Sequence, residues 1–439
     1  MKFYIEVYGC QMNVYDARRI LDLLVENGFE QTHDSREADI LIFYTCNIRE
    51  RAVQKLFSQI GILKSDRTKV IVVGGCVSQA EKESIFKHKD IDISFGSQAY
   101  HRLPDHINEI LSGAKQKVMD IDFDQNKKFE RLSKRKDVLF SEFVTIQEGC
   151  DNFCTYCVVP YTRGREYSRP VNDIINEVKE LLANGAHEIT LIGQNVNSYH
   201  GEAPYITIGE PKGTWRLERL IREIAELDGL KRLRYTTSHP KDFTTELMKI
   251  HAETPVLAPF AHIPVQSGND RILKAMNRGH TAQEYLEKIR KFREICPDIQ
   301  FSSDFIVGFP TETEAEFEDT VKLAKQVRYT VSFSFKYSRR KDTPADKMSG
   351  QVPEEEKERR LAILQKTLIN DQIYHNNALI GKTQEVLFER RGRKPNQYIG
   401  KNVYLQSVIV ESLENLIGQF RNVYIEKAGE NSVMGKIVK

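Results

Sequence analysis

From Phe3 to Tyr337 the chain repeats one pattern: a short apolar run that reads as a strand, then a longer stretch whose apolar residues recur at helical intervals. Such alternation admits few architectures, because strands separated by helices pair in parallel and line up their carboxyl ends along one edge. An α/β fold is expected. In the first segment the strands fall at Phe3–Tyr8, Ile40–Thr45, Val70–Gly74 and Ile91–Phe95, with Ala17–Asn27 and Ala52–Lys64 spaced as helices. These predict an open parallel α/β domain over residues 1–114. A polar run follows in which Lys127, Lys128, Arg131, Lys134, Arg135 and Lys136 crowd together, so 115–137 reads as an exposed basic linker.

A second alternation begins near Glu142. Its strands are Phe143–Gln147, Glu188–Ile192, Arg232–Thr237, Phe260–Val265, Phe301–Val307 and Val331–Tyr337. Six β/α units predict a partial (β/α)6 barrel over 138–368, whose functional residues would sit on loops after the strands' carboxyl ends. Pro353–Leu379 reads as a charged helix, with Glu354, Glu355 and Glu356 in the first turn where the helix dipole favours them. Beyond Gly381 the texture changes to short β runs, at Glu385–Phe388, Val403–Val410, Gln419–Glu426 and Val433–Val438. A small β-barrel of the nucleic-acid-binding kind is expected over 369–439.

Bulk charge names no partner, because 64 basic residues stand against 62 acidic ones. Any nucleic-acid surface must be local, and Arg390, Arg391, Arg393 and Lys394 form the candidate run for phosphate contacts; a solvated face is the alternative. Glu6 interrupts the first apolar run, which reads as a strand and not as a leader, and no stretch approaches the roughly 20 apolar residues of a membrane span. A cytoplasmic protein with no membrane partner is expected. In a reducing compartment seven cysteines are better read as metal ligands or catalytic thiols than as disulfides.

Cys150, Cys154 and Cys157 form C-x3-C-x2-C directly after the first barrel strand. Thiolates hold iron–sulfur clusters, and four would normally saturate a 4Fe–4S cube, so three on one tight loop leave an iron open to an outside ligand. Structural zinc is the competing reading, yet it wants four ligands and the loop offers no fourth Cys or His. Cys10, Cys46 and Cys76 are far apart in sequence, but each directly follows a predicted parallel strand, so the three converge at one sheet edge. Buried packing cysteines are the alternative there. Beside the first site, a second three-cysteine 4Fe–4S site is the reading adopted. Cys296 has no partner pattern and reads as a packing residue.

The C-x3-C-x2-C loop resembles the hallmark of the radical S-adenosylmethionine (SAM) enzymes. Together with Tyr8-Gly9-Cys10-Gln11-Met12-Asn13, Thr45-Cys46-Asn47-Ile48-Arg49-Glu50, Gly75-Cys76-Val77-Ser78-Gln79, Val158-Val159-Pro160-Tyr161-Thr162-Arg163-Gly164-Arg165-Glu166, Thr237-Ser238-His239-Pro240 and Ser302-Ser303-Asp304-Phe305-Ile306-Val307-Gly308-Phe309-Pro310, it is similar to the methylthiotransferase family over nearly the whole chain, and in detail to its bacterial tRNA branch. The resemblance implies two 4Fe–4S clusters, an auxiliary one on Cys10, Cys46 and Cys76 and a radical SAM one on Cys150, Cys154 and Cys157. It implies two SAM molecules per turnover, one as methyl donor and one as radical source, and a methylthio group placed on C2 of the isopentenylated adenosine just 3′ of the anticodon. Arg165, Gly193, Gln194, Asn195, Gln266, Ser267 and Gly308, near or on loops at the predicted barrel face, are the residues expected to hold SAM. The tail resembles the TRAM domain, an RNA-binding β-barrel.

Implied partners are the tRNA anticodon stem-loop and a reducing electron donor of flavodoxin or ferredoxin type; a monomer is expected. Two departures from the family pattern stand out. Gly400-Lys401-Asn402 replaces a common Gly-Arg-Thr, and Ser338-Arg339-Arg340-Lys341-Asp342-Thr343-Pro344 is richer in charge than the usual loop. The rival readings are the sister enzymes acting on threonylcarbamoyl-adenosine in tRNA or on ribosomal protein S12, and a non-catalytic iron–sulfur RNA-binding protein. Gln11-Met12-Asn13 and the basic run at Arg390 argue against the S12 enzyme, and the intact cysteine loop against the non-catalytic protein.

Overall fold

Ile40–Thr45 and Val70–Gly74 are uninterrupted apolar runs because both faces of each are covered, and every residue in them is buried. The computed structural model describes residues 1–47, 50–63, 68–88, 90–123, 125–130, 132–204 and 213–438. Ile48, Arg49, Lys64 and Arg131, all part of the sequence reading, lie outside the described residues, as do the side chains of Glu50 and Lys127. Strands β1 (Lys2–Tyr8), β2 (Glu30–Gln31), β3 (Ile40–Thr45), β4 (Val70–Gly74), β5 (Ile93–Phe95) and β6 (Val118–Asp120) form one parallel sheet in the order β2-β1-β3-β4-β5-β6. Along β3, Ile40, Ile42 and Tyr44 pack with Ala17, Ile20 and Leu24 of helix Gln11–Glu26, while Leu41 and Phe43 pack on the other face with Leu56 and Ile60. The helix read from sequence at Ala17 starts earlier, at Gln11, immediately after Cys10.

The segment 115–137 corrects the expectation of an exposed linker. β6 joins the sheet, the side chain of Lys128 is fully buried, and Arg135 is buried too. Their charges read as solvated because Asp16, Glu148 and Asp22, which they meet in the fold, lie far from them in sequence.

The second alternation gives β7 (Ser141–Thr145), a short ribbon of β8 (Gln147–Glu148) with β9 (Tyr167–Ser168), and β10 (Glu188–Ile192). A hairpin of β11 (His200–Glu202) with β12 (Thr214–Arg216) follows, then β13 (Arg232–Tyr235), β14 (Phe260–His262), β15 (Gln300–Val307) and β16 (Val331–Lys336). Parallel pairing orders them as two half-sheets, β7-β10-β13 and β14-β15-β16. A Leu233–Leu257 bridge joins the halves. The result is an open six-stranded barrel with β7 and β16 as its edges, its helices packed outside over one apolar core. An exposed strand edge is a liability, and the first helix covers the β7 edge: Met12 lies against Phe143 and Ile192, and Arg18 Nη1 reaches Glu142 Oε1 at 2.6 Å.

Helix Glu354–Asn377 leads from the barrel into a closed five-stranded barrel of β17 (Thr383–Arg391), β18 (Gln397–Lys401), β19 (Ser407–Glu411), β20 (Phe420–Ala428) and β21 (Val433–Val438). β18 was not anticipated, and the strand expected from Val403 begins only at Ser407. Asn402 accounts for the difference: its Oδ1 accepts from the backbone N–H of Tyr404 at 3.0 Å and Gln406 at 2.9 Å, which turns the chain there. This turn docks on the start of β13, where Arg234 donates to the carbonyls of Val403 at 2.7 Å and Asn402 at 2.9 Å.

Candidate active site

The parallel register sets the first cysteine triple. Tyr8 pairs with Thr45 and Tyr44 with Gly74, so β1, β3 and β4 end side by side and Cys10, Cys46 and Cys76 follow at once. The Cys46 N–H donates to the Tyr8 carbonyl at 2.9 Å. Close approach at this edge requires glycine. A Cβ on Gly9 (φ +134°) would lie 2.3 Å from the Cys46 Cβ, and one on Gly75 (φ +95°) 2.8 Å from the Thr45 carbonyl oxygen. Cys46 and Cys76 are buried and Cys10 half-buried. Hydrogen bonding with Cys46 holds the Cys10 thiol below the ordinary range in spite of its burial, and the Arg163 guanidinium acts in the same direction.

The second triple is held by a loop whose backbone is pinned from outside. Cys157 N–H donates to the Cys154 carbonyl at 2.9 Å, Thr155 N–H to Met276 at 3.1 Å, and Asn277 Nδ2 to the carbonyls of Asn152 and Phe153 at 3.0 and 3.1 Å. Arg278 Nη1 donates to Cys154 Sγ at 3.4 Å. Burial pushes the Cys150 thiol up, and burial with the neighbouring Cys154 pushes Cys157 to about 12. Thiols so buried stay protonated unless a cationic group takes their charge, as metal coordination does. Among the described residues no three His, Cys, Asp or Glu side chains gather as a single metal ion requires. Each donor set, three thiols with an arginine on one sulfur and no fourth ligand among the described residues, suits a multi-iron cluster with one open iron better than mononuclear zinc.

One buried ionic cluster joins the two triples, and the sequence reading assigned it no role. Arg163 Nε donates to Cys76 Sγ at 3.3 Å, Nη2 to Asp16 Oδ2 at 3.0 Å and Nη1 to Glu148 Oε1 at 2.7 Å. Lys128 Nζ sits 2.8 Å from both Asp16 Oδ1 and Glu148 Oε2, and the Tyr44 hydroxyl donates to Asp16 Oδ2 at 3.0 Å. Two cations thus neutralise two carboxylates in a closed interior. Glu148 stands two residues before Cys150 on the chain, so a single cluster ties the first helix, the 125–130 segment and both cysteine sites. The only hint in the sequence was that Glu148 and Arg163 flank the cysteine loop.

The residues expected to hold SAM separate into groups. Gln194 and Asn195 lie at the barrel mouth: Gln194 Oε1 accepts from Gly149 N–H at 2.6 Å, next to Cys150, and Gln147 Oε1 accepts from the N–H groups of Gln194 and Asn195 at 2.9 and 3.0 Å. Gly193 packs tightly on Gln147. Asn195 Nδ2 donates to Asp242 at 2.7 Å while its buried Oδ1 has no partner among the described residues. Gln266 has φ +75° and its backbone bonds to Asp304 and Ile306 at 3.0 and 2.9 Å. Ser267 is fully buried against Thr320, and Gly308 lies against Lys357, so both serve packing of the loops onto helices. The Arg165 side chain is 74% exposed, 3.5 Å from Asp151 and stacked over Phe153. It stands on the wall of a cleft of about 1020 Å³, together with Gln79, Tyr161, Arg339 and Arg340.

The basic run of the tail is not brought to the cysteines. Arg390 lies near Glu389 and Lys401, which adjoin Glu188 and Arg234 at the entry ends of β10 and β13; the cysteines lie beyond the strands' exit ends. Arg391 stacks over Tyr398.

Family models match three stretches: the radical SAM superfamily over 144–324, the uncharacterized protein family UPF0004 over 2–96, and the TRAM domain over 377–438. The chain is 49% identical over 439 residues to the tRNA-2-methylthio-N(6)-dimethylallyladenosine synthase of Wolbachia pipientis wMel, covering 98% of each chain. It is 46% identical over 445 residues to the Maricaulis maris (strain MCS10) protein of the same name, covering 99% of this chain and 97% of that one. Among solved structures, the radical SAM methyltransferase TsrM of Kitasatospora setae aligns with a TM-score of 0.59 at 16% identity, over 79% of this chain and 75% of that one, a likeness of fold alone.

Proposed function

The chain belongs to the family of tRNA-2-methylthio-N(6)-dimethylallyladenosine synthases, and from that premise we propose how its own residues carry out methylthiolation of the dimethylallyl-adenosine in tRNA. It is a radical SAM tRNA methylthiotransferase. The observation that carries the residue-level reading is the pairing of two three-thiol sites through Arg163, which touches Cys76 on one side and the strand-end Glu148 on the other.

Cys150, Cys154 and Cys157 hold the radical SAM cluster, and Cys10, Cys46 and Cys76 the auxiliary one. When bound, the clusters and SAM supply reductive SAM cleavage at the first site and a methylated sulfur at the second. Arg278 and Arg163 each donate to a ligand sulfur, Cys154 and Cys76 respectively, and so fix its position. The Asn195 Oδ1, buried and without a partner among the described residues, is an acceptor offered to SAM, and the loops at Gln194 and Gln266 position that ligand at the barrel mouth. Arg165 meets solvent and serves the entry of RNA or SAM. Arg390, Arg391, Arg393 and Lys394 contact phosphates of the stem, remote from the target base. A flavodoxin or ferredoxin type protein supplies electrons. The chain works as a monomer in the cytoplasm; among the described residues no helix is long and apolar enough to cross a membrane.

The test is an anaerobic reaction of the reconstituted, reduced protein with SAM and a dimethylallylated anticodon stem-loop RNA, read by mass spectrometry. A methylthio gain on the adenosine with 5′-deoxyadenosine and S-adenosylhomocysteine as co-products is expected. SAM cleavage without RNA modification would overturn the substrate, and intact SAM under verified reduction would overturn the enzyme.

A further inference from the structure

The edge strand β16 carries two large apolar side chains in the open: Phe333 is 49% exposed and Phe335 41%. Their direction follows from register. On β15, Phe305 and Val307 are fully buried in the core shared with Leu364 of helix Glu354–Asn377. Their partners on β16 are Ser334 and Lys336, and Lys336 Nζ reaches Glu358 of that helix at 2.9 Å. The alternate positions therefore share the opposite, inner face of the barrel. Asp304 pairs there with Phe333, and Ile306 with Phe335.

Elsewhere parts of the inner face are covered. Met12 lies against Thr145 and Ile192 on the β7 side, and the turn at Asn402 engages Arg234 on β13. Phe333 and Phe335 leave an exposed apolar stretch of the inner wall. It adjoins the candidate SAM loop, since Gln266 bonds through its backbone to Asp304 and Ile306, the register partners of these two rings. Beside the rings stands a polar edge: Asp304, with its side chain 30% exposed, lies 3.7 Å from His262 Nε2, and His262 Nδ1 lies 2.9 Å from Ser302 Oγ.

We propose that Phe333 and Phe335 form the wall that receives the five-carbon N6 substituent of the target adenosine, with Asp304 accepting the remaining N6–H. The inference rests on the dimethylallyl-adenosine reading above. Two adjacent aromatic rings offer dispersion and burial to an apolar group, while a single carboxylate offers one acceptor to a single N–H. The same face rejects a carboxylate-bearing N6 substituent such as threonylcarbamoyl, which would bring a second negative charge to Asp304 and bury it against phenyl rings. The wall is thus a specificity determinant and takes no part in the bond-breaking steps.

The test uses the full-length reconstituted protein without reductant and measures binding of two anticodon stem-loop RNAs that differ only in the dimethylallyl group. The unsubstituted protein should prefer the prenylated RNA by roughly 10- to 100-fold, the discrimination open to a small apolar group in a matching pocket. The Phe333→Ala/Phe335→Ala variant should lose that preference while its affinity for unprenylated RNA moves less than about twofold, and Phe333→Leu/Phe335→Leu should keep most of it. A preference that survives in the double alanine variant overturns the wall. Equal binding of the two RNAs by an unsubstituted protein that still methylthiolates the prenylated one overturns it as well. Failure of the unsubstituted protein to methylthiolate the prenylated RNA overturns instead the reading on which the wall rests.

Discussion

Cys10, Cys46 and Cys76 are brought together by a sheet, whereas Cys150, Cys154 and Cys157 are brought together by a loop. The first triple has no local geometry of its own. Its members meet only because β1, β3 and β4 pair in register and because Gly9 and Gly75 let the strand ends approach. The second triple lies within one short segment, and its shape is maintained by hydrogen bonds to the carbonyls of Met276 and Gly164 and from the Asn277 amide. A site assembled by a fold responds to anything that shifts the fold. A site built on a pinned loop responds mainly to its own residues.

The largest expected effect separates the two sites by product. Cys150→Ala removes a proposed ligand of the radical SAM cluster, and cleavage of SAM to 5′-deoxyadenosine should fall by more than about 1,000-fold. Cys46→Ala should leave that cleavage within a few fold of the unsubstituted protein and abolish the methylthiolated RNA. Quantifying 5′-deoxyadenosine and modified nucleoside in the same reaction decides it; loss of both products in both variants would mean that the sites do not act separately.

The next effect tests what the sites share. Arg163→Met leaves Asp16 and Glu148 with Lys128 as the one remaining cation of the cluster, and breaking a buried ion pair in this way costs about 3–5 kcal/mol. Denaturant unfolding of the protein without iron should show that loss as a lower midpoint. If the midpoint holds, the cluster is not what joins the first helix to the barrel.

Backbone strain then sharpens the contrast between sheet and loop. Gly75→Ala forces a Cβ to 2.8 Å from the Thr45 carbonyl at φ +95°, at a cost of order 1–3 kcal/mol. The expected result is selective: iron per chain after reconstitution falls by about half, and SAM cleavage stays. Unaltered iron content would show that the strand ends have more room than the geometry states.

How much of this was legible beforehand follows the same divide. β3 and β4 were bounded correctly from sequence because strands buried on both faces read as near-continuous apolar runs, and β10, Glu-Ile-Thr-Leu-Ile, because its apolar residues alternate with polar ones. The convergence of the first triple followed from that. β18, Gln-Tyr-Ile-Gly-Lys, was missed because its partly polar, glycine-bearing run does not stand out from turns, and the strand placed at Val403 took in a turn that Asn402 organises through hydrogen bonds invisible in a list of residues. Lys128 misled for an electrostatic reason. A lysine in a charged run is usually solvated, and only the fold brings Asp16 and Glu148 to it. Arg163 was quoted within a motif, yet its guanidinium role depends on an interface between domains that no local pattern encodes.

The smallest expected effect concerns the region that neither triple reaches. Arg390→Ala/Arg391→Ala changes the basic hairpin next to the entry ends of the barrel strands, away from both cysteine sites. If these side chains hold phosphates, RNA affinity should fall only a few fold, and the dependence of log affinity on log salt should become shallower by about one unit per lost contact. Iron content and SAM cleavage without RNA should not move, because the hairpin lies at the opposite ends of the barrel strands from the six cysteines proposed as ligands. A steady salt slope across the variant would return Arg390 and Arg391 to the class of solvated charges. RNA holding would then fall to the cleft of Arg165, Arg339 and Arg340, which lies on the same side of the molecule as the cysteines.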